Sequence, residues 1–281
     1  ASLDEILCQL PNLALEDVPV GIDESSNKVI SENGKINNFS FKAKSHYDLG
    51  KILGMIDFEL ASKTSGARFV FLKGEIALLE RAISNFMIDI HTQNFNYIEI
   101  SPPLMATTST MFGTGQLPKF EEDQFEIKSD SNSDRKFLIP TAEVPLTAMH
   151  AEEILSEEQL PINYVAYTPS FRREKMSAGR DIRGIKRGHQ FDKVELYKYV
   201  KPENSLRELE TLVQHAETIL QKLELPYRVV ELCAGDLGTA AAKTYDIEVW
   251  SPGSEEWLEV SSCSTTEDFQ SRRSNIRSVS Y

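Results

Sequence analysis

An arginine and a glutamate stand two positions apart in the string Phe171-Arg172-Arg173-Glu174. In a β-strand such positions point to the same face, so Arg172 and Glu174 are predicted to face one ligand together. A guanidinium can form a forked contact with a phosphate, and a carboxylate can accept hydrogen bonds from an amine or an adenine amino group. The pair therefore suits a nucleotide, with an internal ion pair between the two side chains as the simpler alternative.

A second stretch with alternating side chains follows, and it holds His189, Phe191, Lys193 and Glu195. If this stretch is a strand, the four side chains share one face. Phe191 is suited to stacking on a base, and Glu195 to binding an ammonium or hydroxyl group of a substrate. An ordinary core aromatic explains Phe191 equally simply.

The basic hairpin, which we define as residues 169–193, has eight Lys and Arg against three Asp and Glu, a net charge of +5. The whole chain carries 30 Lys and Arg against 43 Asp and Glu, a net charge of −13. A local positive field in an acidic protein suits a polyphosphate or the end of an RNA. A solvated basic hairpin is the alternative, and charge alone favours neither.

The 281 residues are 41% hydrophobic and 26% charged, which is typical of globular proteins and excludes collagen-like or disordered chains. The three cysteines, Cys8, Cys233 and Cys263, contain no CxxC pair, so neither a disulfide framework nor a zinc site is expected. No apolar run approaches the roughly 20 residues of a membrane helix. A cytoplasmic protein without membrane contact is therefore expected.

Residues 1–40 show no sustained period and are predicted to form an extended lead-in segment. Apolar residues at helical spacing predict three helices, which start at about Ser45 and cover 72–92 and 205–223. Ser45 and Ser205 are the predicted N-caps, with Asp48 and Glu208 three residues further on.

Short β-like runs lie between these helices, at 95–101, 137–144, 163–168, 189–200, 227–232, 244–250 and 255–262. They cluster instead of alternating with helices, which favours an antiparallel or mixed α+β sheet over a doubly wound parallel one. Neither GxGxxG after a strand nor GxxxxGK[ST] occurs, so neither common phosphate loop is expected.

The string FRREKMSAGRDIRGIKRGHQFDKVEL resembles motif 2 of class II aminoacyl-tRNA synthetases, in the form used by seryl-tRNA synthetases. Five further strings match that family in order: SGARFVFLKGEIALLERA, SPPLMATTSTMFGTGQLPKFEEDQF, PTAEVPLTAMH, LCAGDLGTAAAKTYDIEVW and EVSSCSTTEDFQSRR. The resemblance extends from about Leu10 to about Arg277 and is highly specific.

The resemblance implies an α+β fold, with a class II antiparallel sheet of six or seven strands flanked by helices, usually in a homodimer. Residues 1–40 would be the lead-in after a tRNA-binding arm, and residues 41–281 the catalytic domain. Tyr97 to Pro103 looks like motif 1, whose proline lies at the dimer interface in the family. Motif 3 has no counterpart, so an incomplete chain is expected, with a minimal catalytic core or a paralogue without aminoacylation as alternatives.

The implied reaction joins the carboxylate of L-serine to the α-phosphate of ATP and then transfers the seryl group to the 3′ end of tRNA(Ser). In the family's roles, Arg172 clamps the α-phosphate, Glu174 bonds the adenine amino group, and Phe191 lies under the adenine. The residues that the resemblance assigns to serine are Thr141, Ala142, Glu143 and Glu195. Those that it assigns to ATP are Arg172, Arg173, Glu174, Phe191, Glu259, Val260, Ser261 and Ser262. Arg172 and Glu174 would be the catalytic residues.

Glu259 and Ser262 resemble the family's magnesium contacts, and oxygen ligands suit Mg²⁺. Positions three apart fall on opposite faces of a regular strand, so the strand would have to bulge or end near Ser261. No zinc is expected. His189 is a weak candidate for a general base, because the implied chemistry relies on positioning and on neutralising charge.

Two other functions stay open at this point. An adenylate-forming relative that loads a carrier protein would also lack the tRNA-binding arm. A non-catalytic dimeric module would have no need to keep Arg172, Glu174 and Glu195.

Overall fold

The computed structural model describes residues 3–128, 135–175 and 184–280. The α-helices are α1 Leu3–Leu7, α2 His46–Leu53, α3 Phe58–Ser65, α4 Glu75–Phe95, α5 Thr108–Gly113, α6 Glu143–Ala148, α7 Ser205–Lys222 and α8 Phe269–Arg273. The strands are β1 Lys28–Asn33, β2 Ile56–Asp57, β3 Phe71–Leu72, β4 Ile98–Glu99, β5 Met105–Thr107, β6 Glu126–Ile127, β7 Lys136–Leu138, β8 Ile154–Ser156, β9 Ile162–Phe171, β10 Gln190–Tyr199, β11 Tyr227–Glu231, β12 Lys243–Ser251, β13 Glu256–Thr265 and β14 Arg277–Val279.

Two sheets form the centre of the fold. One has the strand order β1-β11-β12-β13 and is antiparallel throughout. The other has the order β10-β9-β4, in which β9 and β10 form a long antiparallel hairpin and β4 runs parallel to β9. The predicted α+β class, with mostly antiparallel strands flanked by helices, is confirmed.

Helices α7 and α4 cover one face of these sheets. Leu209, Val213 and Leu220 of α7 pack on Tyr227 and Ile247 in the largest buried apolar cluster. Helix α4 contacts β9, β10 and α7. Because strand side chains alternate, residues next to those that face the helices point to the opposite side, where the site lies.

The two predicted N-caps have different outcomes. The hydroxyl of Ser45 accepts a hydrogen bond from the backbone N–H of Asp48 at 3.3 Å, so this cap is confirmed. The capping box at Ser205 is wrong: the N-cap is Asn204, without a side-chain capping bond. The hydroxyl of Ser205 pairs instead with Thr265 at 2.7 Å. Tertiary partners on neighbouring strands have replaced the local ones.

Two element boundaries also differ from the prediction. The helix predicted over 72–92 is Glu75–Phe95, because Phe71–Leu72 is held as a strand by pairing with β2. The strand predicted over 137–144 ends at Leu138, and Glu143 already begins α6. In both places pairing with a distant segment decided where the element begins or ends.

The lead-in segment contributes to the sheet. Lys28–Asn33 forms β1 and pairs with β11 at the edge of the four-stranded sheet. The division at residue 40 stays a prediction, although β1 makes part of the lead-in integral to the fold. Among the described residues, no helix combines the length and the apolar character required to cross a bilayer.

A buried ion pair joins strand β10 to helix α7, and it leads to a prediction about stability. Lys198 Nζ lies 2.8 Å from a carboxylate oxygen of Glu208, with side-chain exposures of 6% and 13%. Replacing Glu208 by Ala leaves a buried ammonium without this partner, so the free energy of unfolding is expected to fall by about 3–5 kcal/mol. Urea titration measures the change.

Arg207→Ala is the matched control, because Arg207 is 76% exposed and also contacts Glu208. It is expected to change the free energy of unfolding by less than about 1 kcal/mol. Equal losses in the two variants would contradict the assignment of Lys198–Glu208 as a buried structural pair.

Candidate active site

A cavity of about 550 Å³ opens on the face of the sheets opposite α4 and α7. Its lining comes from chain segments that are far apart in sequence. They are Thr114 to Gln116, Phe120, Asp123, Gln124, Pro140, Glu143, Arg172, Glu174, Arg187, Gly238 to Ala241, Ser264 and Thr266. Three of the predicted site residues, Arg172, Glu174 and Glu143, line it directly.

Arg172 and Glu174 lie just beyond the end of β9, not within a strand as predicted. The backbone turns there, with Glu174 at φ 52°, a left-handed conformation that is uncommon for a residue with a side chain. The guanidinium of Arg172 lies 5.2 Å from the ring centroid of Phe191, and its Nε donates to the carbonyl of Pro140 at 3.3 Å. Glu174 lies 3.7 Å from Arg187. Both predicted side chains therefore reach the cavity, by a turn instead of a shared strand face.

His189 holds this turn in place. Its ring Nδ1 donates to the backbone carbonyl of Arg172 at 2.9 Å, and its own carbonyl accepts from the N–H of Arg172 at 3.0 Å. Its ring also packs against those of Phe69 and Phe125. This is a positioning role for His189 and agrees with its low rank as a general base.

Arg173 differs from its neighbour. Its side chain is exposed and is not among the residues that line the cavity. Its backbone N–H donates to the carbonyl of Asp123 at 2.9 Å, and the N–H of Lys175 donates to the Asp123 carboxylate at 2.7 Å. Asp123, which had no role in the prediction, therefore fixes the end of the strand that carries Arg172.

Thr141, Lys193 and Glu195 form one hydrogen-bonded group, which is not among the residues that line the cavity but adjoins Pro140, which is. The hydroxyl of Thr141 donates to Glu195 at 2.5 Å and accepts from Lys193 Nζ at 3.0 Å. Lys193 Nζ lies 2.6 Å from the same carboxylate. Burial acts to raise the pKa of Glu195, but Lys193, Thr141 and Arg172 outweigh it and lower the pKa below its usual value. Glu195 is therefore held as a carboxylate.

Glu143 has the opposite electrostatic character. Burial raises its pKa, and the nearby charge of Glu195 raises it further. One oxygen of Glu143 accepts from the side-chain amide of Gln270 at 2.5 Å, and the same amide donates to the carbonyl of Thr114 at 3.3 Å. The pKa values of these two neighbouring carboxyl groups are thus shifted in opposite directions. Glu195, whose pKa is lowered, is the better partner for an ammonium group.

The string Thr141-Ala142-Glu143 is a turn into α6, not the extended stretch that was predicted. The hydroxyl of Thr141 accepts from the N–H of Glu143 at 3.2 Å. The side chain of Ala142 is fully buried in the apolar cluster that contains Leu146 and Tyr199. Thr141 and Glu143 still lie side by side, while the Ala142 side chain packs in the core and not in the cavity.

The bulge that a shared metal contact requires is present in β13. Glu259 pairs with Glu248, whereas Ser262 pairs with Asp246, so Val260 is an extra residue in the strand. Glu248 and Asp246 are two apart on β12 and share one face. Glu259 and Ser262 therefore share that face as well, although they are three apart in sequence.

The residues between them face other ways. Val260 is exposed, and the hydroxyl of Ser261 lies 4.0 Å from the thiol of Cys263, on the side that packs against α7. Glu259 keeps an exposed surface, yet the protein around it removes water and raises its pKa, against the opposing charges of Arg172 and Lys193. Glu259 is thus close enough to Arg172 for the two charges to interact.

Asp246 belongs to this face and was not predicted. Burial, reinforced by the charge of Glu259, raises its pKa to about 7, and a hydrogen bond from Ser262 opposes the change. Within the described residues its Oδ1 atom is buried without a hydrogen-bond partner. The alternating acids Asp246 and Glu248 in TYDIEVW were the available signal, since they point away from the apolar residues of the same strand.

Part of the predicted basic hairpin lies outside the described residues, namely 176–183 with Arg180 and Arg183. Arg187 lines the cavity beside Glu174, and Lys193 bonds Glu195, so these two cations belong to the site. The sequence placed Lys193 on the same strand face as Glu195, as the structure does, but assigned no function to it. Gln270 had no local signal, because α8 reaches Glu143 from 127 residues away in sequence.

The raised pKa of Asp246 predicts a pH-dependent effect on stability. An ordinary Asp has a pKa near 3.8, so the folded protein holds a proton that the unfolded chain releases between about pH 4 and 7. That contribution to stability is lost as the pH rises through 7. Asp246→Asn removes the buried charge, so its Tm is expected to exceed that of the wild type by more at pH 8 than at pH 5.

The exposed Asp89 supplies the control, since Asp89→Asn is expected to shift Tm equally at the two pH values. Differential scanning calorimetry measures both variants. The assignment fails if the Tm difference for Asp246→Asn is the same at pH 5 and pH 8.

Comparisons with known proteins agree with this geometry. Residues 123–280 match the family model described as the tRNA synthetase class II core domain (G, H, P, S and T). The chain is 56% identical over 98% of its length to a serine–tRNA ligase of Thermodesulfovibrio yellowstonii, and 55% identical over 98% to that of Bacillus subtilis. It spans 64% of the length of each of these relatives.

A solved structure shows the same fold. The seryl-tRNA synthetase of Pyrococcus horikoshii, complexed with ATP, superposes with a TM-score of 0.93 over 99% of this chain and 66% of its own, at 40% identity. The turn that carries Arg172 and Glu174 and most of the cavity lining lie within the matched segment. The chain belongs to the class II tRNA synthetase core domain family.

Proposed function

We propose that this chain is the catalytic part of a serine–tRNA ligase, with residues 41–281 as the catalytic domain. It activates L-serine with ATP to seryl-adenylate and transfers the seryl group to the 3′ end of tRNA(Ser). The observation that carries the proposal is the carboxyl group of Glu195, which Thr141 and Lys193 hold close to the Arg172–Phe191 pair. A carboxylate that can bind the ammonium group of an amino acid thus adjoins an arginine that can bind a nucleotide phosphate.

The nucleotide side uses charge and stacking. Arg172 is held by Pro140 and by the ring of Phe191, so its guanidinium is ready to bind the α-phosphate. Phe191 offers an aromatic surface for adenine, and Glu174 a carboxylate for its amino group. The relative from Pyrococcus horikoshii was solved with ATP, which supports ATP as the nucleotide here.

The amino-acid side selects by hydrogen bonding. Glu195 is a fixed carboxylate for the serine ammonium, while Thr141 and Glu143 offer polar groups for its hydroxyl. Alanine would leave such buried groups unpaired, which is a strong basis for rejection. Threonine has to be rejected by size, and size alone discriminates less well. Attack by the serine carboxylate on the α-phosphate needs positioning more than it needs a base.

The face shared by Glu259 and Ser262 fits a magnesium site. Its donors are oxygens, and the buried Oδ1 of Asp246 lies on the same face. In the described ranges no three His, Cys, Asp or Glu side chains are grouped to hold a metal by themselves. Glu259 and Ser262 would therefore hold Mg²⁺ together with phosphate oxygens and water. When bound, the ion would neutralise charge on the ATP phosphates.

The remaining features of the proposal concern partners. The cationic side chain of Arg187, which lines the cavity, suits the acceptor end of tRNA(Ser). The names of the relatives support L-serine and this tRNA as substrates. A cytoplasmic location goes with a role in protein synthesis.

Serine-dependent exchange of pyrophosphate into ATP tests the proposal, measured on the complete gene product that contains this chain. Exchange is expected with serine and not without it. Arg172→Ala is expected to lower the rate by about thirtyfold, because a lost phosphate contact removes about 2 kcal/mol of transition-state stabilisation. Arg207→Ala, on the exposed side of α7, is expected to exchange at the wild-type rate.

Equal exchange with and without serine would refute serine activation. A loss below tenfold in Arg172→Ala would refute the phosphate role of Arg172. Acylation of a carrier protein instead of tRNA(Ser) would identify the other adenylate-forming class. If calorimetry shows no binding of a non-hydrolysable seryl-adenylate analogue, the result would favour the alternative of a non-catalytic module.

We also propose that the protein is a homodimer through the surface of α4, β4 and β5. Leu78 and Leu79 on α4, Ile98 on β4 and Met105 on β5 all expose large apolar side chains. Burying exposed apolar side chains is favourable, and the motif 1 resemblance, Tyr97 to Pro103, includes Ile98. Ile98→Glu is expected to convert a dimer into a monomer in sedimentation equilibrium.

Leu225→Glu, at an exposed apolar residue after α7, is the control and should leave the mass unchanged. A dimeric Ile98→Glu variant would contradict this surface as the interface.

A further inference from the structure

One wall of the cavity is held from outside by the lead-in segment. This wall, which we call the wall loop, is formed by residues 238–242, and Gly238 to Ala241 line the cavity. Thr266 lines the cavity next to it. Both segments are loops between elements, so their positions depend on contacts made by other parts of the chain.

Asn12 joins these two segments. Its side-chain amide Nδ2 donates to the carbonyl of Ala240 at 3.0 Å and to that of Thr266 at 2.9 Å. Its backbone N–H donates to the carbonyl of Thr239 at 2.8 Å. Three residues that line the cavity are thus held by one half-buried asparagine.

The bonding capacity of this side chain is used almost completely. Both amide hydrogens are donated to the wall, and Oδ1 accepts from the N–H of Leu13 at 2.9 Å. An aspartate has the same shape but offers no donor, so it could not bridge the two carbonyls. Asparagine is therefore specific at this position.

Further contacts keep the lead-in in register with the wall loop. The N–H of Leu15 donates to the carbonyl of Ala242 at 3.0 Å. Asp17 lies 2.6 Å from Lys243 Nζ, immediately after the loop. These contacts place Asn12 opposite Ala240 and Thr266 without touching the cavity themselves.

The wall loop adjoins the amino-acid side of the cavity. A Cβ built on Gly115 would lie 3.8 Å from that of Ala240, so the loop packs on the segment that contains Thr114. The carbonyl of Thr114 accepts from Gln270, and Gln270 holds the carboxyl group of Glu143. Movement of the wall loop would therefore be transmitted to Glu143 through Thr114 and Gln270.

We propose that Asn12 is a positioning residue for the amino-acid side of the active site, acting through the wall loop. This inference rests on the proposed function. The lead-in segment, which contributes no side chain to the cavity lining within the described residues, thereby determines the shape of the site.

Steady-state pyrophosphate exchange on the complete gene product tests this role. Asn12→Ala and Asn12→Asp are each expected to raise the KM for serine about tenfold, since two hydrogen bonds that fix the wall are lost. The KM for ATP is expected to change by less than about twofold, because Arg172 and Phe191 are held independently of Asn12.

Asn27→Ala is the matched control. Asn27 also lies in the lead-in and bonds the preceding loop, accepting from the N–H of Cys233 at 2.9 Å and donating to Asp236 at 2.7 Å. Neither partner lines the cavity. The Asn27→Ala variant is expected to lose thermal stability to a similar degree as Asn12→Ala while keeping the wild-type KM for serine.

Hydrogen exchange measured by mass spectrometry gives a readout without catalysis. Asn12→Ala is expected to speed exchange of the wall-loop amides at least about fivefold, and Asn27→Ala to leave them unchanged. An unchanged KM for serine in an active Asn12→Ala protein would overturn the inference. Equal changes in the KM for serine in Asn12→Ala and Asn27→Ala would overturn it as well. A wild-type protein without serine-dependent pyrophosphate exchange would refute the proposed function. In that case the hydrogen exchange of the wall-loop amides would by itself decide whether Asn12 positions the wall loop.

Discussion

The buried carboxylate of Glu195 is the constraint around which the site is arranged. An ionised group out of water is unfavourable unless charges and donors surround it, and here Lys193 and Thr141 do so within 3.0 Å. Thr141 can reach Glu195 only because the chain turns into α6 at Glu143. Burial raises the pKa of Glu143, and the negative charge of Glu195 raises it further, so the ionisation of Glu195 also affects its neighbour.

The two-sided character of the strands makes this arrangement possible. Along β10 the side chains of Phe191, Lys193 and Glu195 face the site, while Lys198 on the other side pairs with Glu208 of α7. The four-stranded sheet repeats the division, with Ile247 packed beneath α7 and Asp246 on the side of the site. Helices α4 and α7 therefore stabilise the sheets from one side and contribute no residue to the cavity lining on the other.

What the sequence could predict follows from the range of the interactions. The cap at Ser45 depends on a residue three positions away and was found, whereas Ser205 bonds a strand 60 residues away and was misassigned. The motif resemblance indicated Arg172 and Glu195, and their roles stay predictions. No local pattern could find Gln270 or Asn12, because their partners lie more than a hundred residues distant and only the fold brings them together.

The bulge at Val260 shows that the pairing of a strand can determine which side chains share a face, whatever the side chain of the extra residue is. Val260 itself is exposed, yet it shifts every side chain on one side of it by half a strand period relative to those on the other side. Substitution of Val260 is expected to be tolerated, whereas pairing of β13 without the bulge would place Glu259 and Ser262, which are three residues apart, on opposite faces. In related sequences, side chains at these two positions could therefore share a ligand at a spacing of three with a bulge or at a spacing of two without one.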